Sequence, residues 1–157
     1  MSKITTFLTF NDQAEPAARM YVSIFKDSRI LEVVRTDGSG PGATGQVVYV
    51  SFRLAGQEYG ALNGGPHFRF TDGISLYVNC KTQAEVDTLW AKLSAGGKKG
   101  RCGWLKDRFG VSWQVIPEAL GEMLSDPMSG NSEKAMEAML KMGKIDIQKL
   151  RNAYRKK

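Results

Sequence analysis

The sequence predicts an α+β protein made of two tandem βαβββ modules and a helical C-terminal extension. The order strand, helix, hairpin occurs twice, and Leu8-Thr9-Phe10-Asn11 aligns with Leu76-Tyr77-Val78-Asn79. Two units are too few for a solenoid, so we expect both modules to share one core. After Pro117 the pattern becomes helical. The predicted organisation is a single domain over 1–157, divided into a first module (3–64), a crossover loop (65–72), a second module (73–117) and the C-terminal extension (118–157).

Alternation and composition predict the elements of the first module. Strands are expected over 3–10, 29–36, 46–54 and 58–63, and a helix over 13–25. Asn11 and Asp12 are the candidate N-caps of that helix, and Pro16 falls in its first turn. Gly56 lies in the short turn of a hairpin. Gly64-Gly65-Pro66 then breaks the sheet, and the chain crosses to the second module.

The second module and the extension follow in the same way. A strand is expected over 74–80, a helix within 82–97 and a hairpin over 102–117, followed by helices over 118–126, 133–142 and 147–154. Asp107, in the hairpin turn, is expected to accept backbone N–H bonds. Pro127 ends the first C-terminal helix, Asn131 or Ser132 can cap the second, and Asp146 can cap the third. The methionines at helical spacing are interpreted as packing or interface residues: Met123, Met136, Met139 and Met142.

The composition is that of a soluble globular protein, with 42% hydrophobic and 24% charged residues. No apolar run approaches the roughly 20 residues of a membrane-spanning helix, and the N-terminus shows no signal peptide. We therefore expect a cytoplasmic protein with no membrane partner. Cys80 and Cys102 form no CxxC pair and are expected to be reduced, packed thiols. The basic tail predicts a solvated helix face and no nucleic-acid partner; its residues are Lys141, Lys144, Lys149, Arg151, Arg155, Lys156 and Lys157.

Four segments carry a family resemblance: ALNGGPHF (61–68), CGWLKDRFGVSWQVIP (102–117), FNDQAEPAARMYVSIFKDSRI (10–30) and AMLKMGKIDIQKL (138–150). With the tandem βαβββ order, they resemble the vicinal oxygen chelate superfamily, which includes glyoxalases, bleomycin-resistance proteins and extradiol dioxygenases. Within it, the chain resembles the PhnB-like, or demethylubiquinone-methyltransferase-like, subfamily. The resemblance implies two curved sheets that form a cup around a cavity, and a homodimer. The apolar faces of the C-terminal helices, which exceed what a two-module core needs, favour the same dimer.

The resemblance also implies where a metal would bind. Metal-dependent members hold a divalent ion with histidine and glutamate from the first and last strands of both modules. Here those positions fall on Gln114, at or near Asn63, and near 5–9 and 75–77, with no histidine or carboxylate among them. The chain has one histidine, so the family's metal site cannot be assembled. We expect no metal and no cofactor.

The methyltransferase name of the subfamily finds no supporting motif. Enzymes of the common Rossmann type bind S-adenosylmethionine at a glycine-rich turn that leads from a strand into a helix. Neither GSGPGATG (38–45) nor NGGPHF (63–68) precedes a helix. We therefore treat the name as that of a family and not as an activity.

Strand alternation selects the residues that would line the cavity. If Gln114 points inward, Ser112 and Ile116 share its face, while Trp113 and Val115 turn toward the helix. Hydroxyls and amides between aromatic walls suit a small neutral or aromatic ligand. Each residue has a structural alternative, such as a turn cap, a core hydrogen bond or simple packing. The predicted ligand-binding residues are Thr9, Asn63, Ser75, Tyr77, Trp104 and Gln114.

Two functions remain open. The first is a protein that binds and sequesters a small ligand, as the bleomycin-resistance relatives do. The alternative is a metal-independent enzyme acting on a small metabolite, with His67 as its general base. His67 is the candidate because no other side chain ordinarily titrates near neutral pH; the alternative is a surface residue whose ring rests on Phe68 or Trp104. The absence of a nucleophile–base pair and of paired carboxylates in the predicted cavity favours binding slightly.

Overall fold

The structure is a computed structural model that describes residues 2–126, 128 and 130–155. The chain divides into two compact units, Met1–Arg69 and Phe70–Lys157. No helix in the described part of the chain combines the length and the apolar character needed to cross a bilayer.

The first unit is one four-stranded sheet with one helix. Its elements are β1 (Thr6–Phe10), α1 (Ala14–Ile24), β2 (Arg29–Arg35), β3 (Val47–Leu54) and β4 (Gln57–Asn63). The strand order is β1-β4-β3-β2, with β1 parallel to β4 and the other pairs antiparallel. Ala55 and Gly56 join β3 to β4 with φ values of 48° and 83°. Two consecutive positive φ values are typical of the two-residue turn that matches the twist of a hairpin.

Helix α1 covers one face of the first sheet. Leu8 and Phe10 of β1 and Val50 and Phe52 of β3 are buried beneath it, where Phe52 lies beside the buried ring of Tyr21. Burying these side chains is the main source of stability for a sheet with one covered face.

The predicted N-caps of α1 are wrong. The capping position is occupied by Gln13, which makes no side-chain capping bond. The N–H of Ala14 instead donates to Oδ1 of Asn63, at 2.8 Å. A residue distant in sequence therefore satisfies the start of the helix, which a local capping rule does not anticipate.

The second unit repeats this arrangement. Its elements are β5 (Leu76–Cys80), α2 (Gln83–Ser94), β6 (Lys98–Lys99), β7 (Trp104–Lys106) and β8 (Ser112–Pro117). The strand order is β5-β8-β7-β6, with β5 parallel to β8. The hydroxyl of Thr82 accepts the N–H of Glu85, whose carboxylate accepts the N–H of Lys81, so α2 begins with reciprocal capping bonds. The predicted α+β class with two tandem βαβββ modules is confirmed.

Three helices complete the second unit: α3 (Glu118–Leu124), α4 (Ser132–Leu140) and α5 (Ile147–Arg155). Asp146 caps α5 as predicted, accepting the N–H of Lys149 at 3.0 Å. Asn131 occupies the N-cap of α4 without a side-chain capping bond. Pro127, Lys156 and Lys157 lie outside the described residues. The helices enclose an apolar cluster with the end of β8, made of Ile116, Leu120, Met123, Ala135, Ile145 and Leu150.

Candidate functional site

The second sheet has two chemically different faces. Trp113 and Val115 are buried on the side of α2, together with Leu105, which pairs with Trp113. Because side chains alternate along a strand, the neighbours of these residues lie on the opposite side. This side, here called the Gln114 face, is formed by Tyr77, Asn79, Trp104, Lys106, Ser112, Gln114 and Ile116.

One row of the Gln114 face combines two aromatic rings with an amide. Trp104 is the register partner of Gln114, which is in turn the partner of Tyr77. The Nε2 of Gln114 donates to Oγ of Ser75 at 2.9 Å, which fixes the orientation of the amide. Trp104 and Gln114 are half-buried, while Tyr77 is 57% exposed. Four of the predicted ligand-binding residues are therefore neighbours on one surface.

A second row, one step along the strands, is charged. Lys98 of β6 pairs with Lys106 of β7, which pairs with Ser112 of β8. The Nζ of Lys106 lies 3.1 Å from Oδ1 of Asp72, and the Ser112 hydroxyl donates to the same oxygen at 2.9 Å. Lys106 first, and then Ser112, hold the pKa of Asp72 below its usual value.

A groove of about 460 Å³ joins the charged row to Trp104. It is lined by Asp72, Lys98, Lys99, Gly100, Arg101, Trp104, Leu105, Lys106 and Ser112. Its volume lies within the range of small-molecule sites. The cationic side chains that line the groove were not predicted from the sequence. The Lys-Lys pair after Gly96-Gly97 and the period-two spacing of Trp104 and Lys106 were the available signals.

Desolvation raises the pKa of both acidic groups of β5, Tyr77 and Cys80. For Tyr77 the nearby Cys80 adds to this effect, and its phenol can donate a hydrogen bond. Desolvation, followed by the charge of Glu85, raises the pKa of Cys80 to about 12. Its thiol is therefore protonated and a poor nucleophile.

Asp107 holds the β7–β8 turn, as predicted. Its Oδ1 accepts the N–H groups of Phe109 and Val111 at 2.8 and 3.1 Å, and its Oδ2 accepts the indole N–H of Trp113 at 2.8 Å. The carboxylate is 3% exposed. These bonds fix the register in which β8 presents Ser112 and Gln114.

The two predicted residues of the first sheet lie on opposite faces. Thr9 pairs with Leu62, and Phe10 pairs with Asn63. Asn63 thus shares the α1 side with the buried Phe10, and its Nδ2 donates to the carbonyl of Val47 at 3.0 Å while its Oδ1 accepts from α1. These bonds support the capping alternative for Asn63, and a ligand-binding role for it stays a prediction. Thr9, half-buried on the other face, packs near Gly64.

The register of the first sheet also shows which of its residues is equivalent to Gln114 of the second sheet. Thr9 aligns with Tyr77 in the repeat, and these residues pair with Leu62 and Gln114, respectively. The equivalent of Gln114 is therefore Leu62, one residue before the predicted Asn63. A hydroxyl, an alkyl group, a phenol and an amide do not fit a divalent ion that needs imidazole or carboxylate ligands. No three His, Cys, Asp or Glu side chains within the described ranges form a metal-binding group.

His67 lies in the exposed turn that follows β4. It belongs to the first unit, whereas Ser75, Tyr77, Trp104 and Gln114 belong to the second. Its proposed role as general base stays a prediction.

The fold and the comparisons with known proteins place the chain in the vicinal oxygen chelate superfamily, within its PhnB-like branch. A family model described as 3-demethylubiquinone-9 3-methyltransferase matches residues 2–116. The chain belongs to this family. The match ends within β8, so the three C-terminal helices lie outside the family model.

Solved structures agree with this assignment. The PhnB protein of Bacillus cereus, named after the same methyltransferase, shares 40% sequence identity; the match covers 74% of this chain and 99% of that chain with a TM-score of 0.69. Protein PA1353 of Pseudomonas aeruginosa shares 20% identity over 74% of this chain and 98% of its own, with a TM-score of 0.62. The fosfomycin resistance protein FosX of Listeria monocytogenes shares 13% identity over 74% of this chain and 93% of its own, with a TM-score of 0.51. The last two comparisons show the fold alone. A comparison with curated proteins gives no match.

Proposed function

We propose that this protein binds and sequesters a small planar molecule on the Gln114 face of its second sheet, without a bound metal. The row formed by Trp104, Gln114 and Tyr77 carries the proposal. An indole and a phenol offer flat apolar surfaces, and the amide between them offers one directional polar contact. Such a combination of aromatic walls and few polar groups is typical of small-molecule sites.

The chemistry of the surrounding groups favours binding over catalysis. The carboxylate of Asp107 accepts three N–H groups, and that of Asp72 is bonded to Lys106 and Ser112. Cys80 is a buried thiol whose pKa is raised to about 12. The functional groups that remain on the Gln114 face are neutral hydrogen-bonding groups and ammonium ions, which orient a ligand without forming a nucleophile–base pair.

Tryptophan fluorescence tests the proposal because one of the three tryptophans reports on the site. Trp90 and Trp113 are 5% and 1% exposed, whereas Trp104 is half-buried and borders the groove. Benzamide and benzoate serve as planar probes, and cyclohexanecarboxamide serves as the non-planar control. We expect the planar probes to quench fluorescence saturably with Kd on the order of 1 mM, the affinity of fragments with ~9 non-hydrogen atoms.

The variants Trp104→Leu and Trp90→Phe separate the site from the rest of the chain. Trp104→Leu is expected to weaken binding of the planar probes about three- to tenfold in calorimetric titration, since the ring contact is lost. Trp90 is buried in α2, so Trp90→Phe should leave the binding of the planar probes unchanged. The proposal would be overturned if neither planar probe bound saturably to the wild-type protein, or if Trp104→Leu left the binding of the planar probes unchanged.

The enzymatic alternative rests on His67 and on the family name. If the protein converts a small metabolite without metal, His67→Ala should lower kcat and change the pH profile of kcat. An activity that survives His67→Ala with the same pH profile would exclude the general-base role. Elemental analysis of the purified protein would separately reject metal independence if it found a stoichiometric divalent ion.

The assembly and location proposed for the protein are a homodimer in the cytoplasm, with no nucleic-acid or membrane partner. The exposed Met136 and Leu140 of α4 support an apolar contact between copies, although the helices bury much of their apolar surface within the second unit. Light scattering at micromolar concentration is expected to give twice the mass of the chain. A monomeric mass would contradict the dimer.

A further inference from the structure

The charges beside Trp104 specify the chemical class of the ligand. Resting on the proposed function, we propose that the ligand is an anion: a planar ring that bears a carboxylate or similar acidic group, held by Lys98 and Lys106 while the ring contacts Trp104. The sequence alone suggested a neutral or aromatic ligand, because the predicted lining of the cavity consisted of hydroxyls, amides and aromatic rings.

The groove has an excess of positive charge. Its lining includes four cationic side chains, Lys98, Lys99, Arg101 and Lys106, and one carboxylate, Asp72. Among the described residues, Lys106 alone of these cations lies within ion-pair distance of a carboxylate. An anion entering the groove would therefore meet Lys98, Lys99 and Arg101, for which no carboxylate of a described residue lies within ion-pair distance.

The spacing of the two rows matches a small aromatic acid. Lys106 follows Trp104 by two residues on β7, so both side chains project from the same face about 7 Å apart along the strand. Lys98 stands opposite Lys106 in the register of β6 and β7, so the two lysine side chains project from the same face of neighbouring strands. A benzoate-sized molecule can place its ring on the indole and its carboxylate between the lysines.

Asp72 competes with the ligand for Lys106. Its carboxylate accepts from Lys106 at 3.1 Å and from Ser112 at 2.9 Å, and it is 68% exposed. A bound carboxylate would replace Asp72 at the ammonium group, so removing the charge of Asp72 should strengthen anion binding. This dependence is specific to an anionic ligand, since a neutral ligand does not compete with Asp72.

The test compares benzoate with benzamide, which share a planar ring and differ in charge. Calorimetry is expected to give at least threefold tighter binding for benzoate, with affinity that falls as salt is raised. Lys98→Gln should weaken benzoate about three- to tenfold and leave benzamide unchanged. Asp72→Asn should strengthen benzoate about two- to threefold. The matched control is Lys92→Gln, on the exposed surface of α2, which changes the net charge equally and should leave both probes unchanged.

The outcomes separate the two proposals. If benzamide binds at least as tightly as benzoate, or if Lys98→Gln has the same effect as Lys92→Gln, the anionic ligand is refuted while the planar binding site stands. If neither probe binds saturably, the proposed function itself is refuted, and the anionic ligand with it. Circular dichroism confirms that each variant is folded before its affinity is compared with that of the wild type.

Discussion

Substitution of Asp107 by alanine is expected to lower the free energy of unfolding of the second unit by about 3–5 kcal/mol. The variant removes the acceptor of three N–H groups at once, those of Phe109, Val111 and the indole of Trp113. The bonds to Val111 and Trp113 are buried, so water does not readily replace the carboxylate there. Each buried donor left without an acceptor costs about 1–3 kcal/mol, and the partly buried Phe109 adds less.

Asparagine at this position gives a smaller effect that identifies its cause. The amide of Asp107→Asn keeps one oxygen for the turn but presents N–H groups to the indole N–H of Trp113, so two donors face each other. We expect a loss of about 1–3 kcal/mol. In a double-mutant cycle, Trp113→Phe removes the opposing donor, and the coupling between the two positions should be about 1–2 kcal/mol.

Urea unfolding followed by tryptophan fluorescence measures these changes, because Trp90, Trp104 and Trp113 all lie in the second unit. The control Glu122→Ala, on the exposed side of α3, should change the unfolding free energy by less than about 0.5 kcal/mol. A loss below about 1 kcal/mol for Asp107→Ala would show that the turn does not depend on this carboxylate. Zero coupling in the cycle would show that the bond to the indole of Trp113 does not contribute to stability.

Three further substitutions and conditions test the packing of both units. Gln83→Ala should destabilise the second unit by about 1–3 kcal/mol and speed hydrogen exchange at the start of α5, because the Gln83 side chain accepts the N–H of Ile147 and donates to the carbonyl of Ile145, two residues before the helix; unchanged exchange would contradict this. Asn63→Ala should lower the unfolding free energy by about 1–2 kcal/mol because the N–H of Ala14 loses its acceptor, and an unchanged melting temperature would refute it. The hydrogen bond from Arg19 lowers the pKa of Glu15 from its ordinary value of 4.5. The ionised Glu15 therefore contributes to the free energy of unfolding above pH 4.5, and this contribution is lost as the pH falls through the lower pKa of the folded state. The melting temperature measured at decreasing pH should show this loss for the wild type and not for Glu15→Gln.

Strand alternation was sufficient to predict which residues share the Gln114 face. A side chain in a strand has only two directions, so assigning Gln114 to one side also assigned Ser112 and Ile116, and placed Trp113 and Val115 on the other. The register of β8 with its neighbours confirms that division. The order of the elements could be predicted from the repetition of the module. Each repeat must cover one face of its sheet with one helix.

The first sheet shows where this reasoning stops. A shift of one residue separates Leu62, which pairs with Thr9, from Asn63, which pairs with Phe10. A shift of one residue moves a side chain to the opposite face of the sheet. The end of a strand cannot be predicted from one sequence to better than about one residue. The bonds of Asn63 to Ala14 and Val47 join residues far apart in sequence, so neither local propensity nor capping rules could indicate them.

The C-terminal helices bury part of their apolar surface within the second unit, and the homodimer that this surface predicted stays a prediction. Their apolar faces predicted a partner because a duplicated module alone offers no surface for them. In the structure, much of that surface packs around Ile116, the end of the strand that also carries Gln114. Gln83 binds the carbonyl of Ile145 and the N–H of Ile147, and Gly103 donates to the carbonyl of Gly143, so the extension is bonded to α2 and to the residue preceding β7. The match to the family model ends at Ile116, so each of these bonds joins a residue inside the matched region to one outside it, and together they hold one end of the strand on which the proposed ligand site depends.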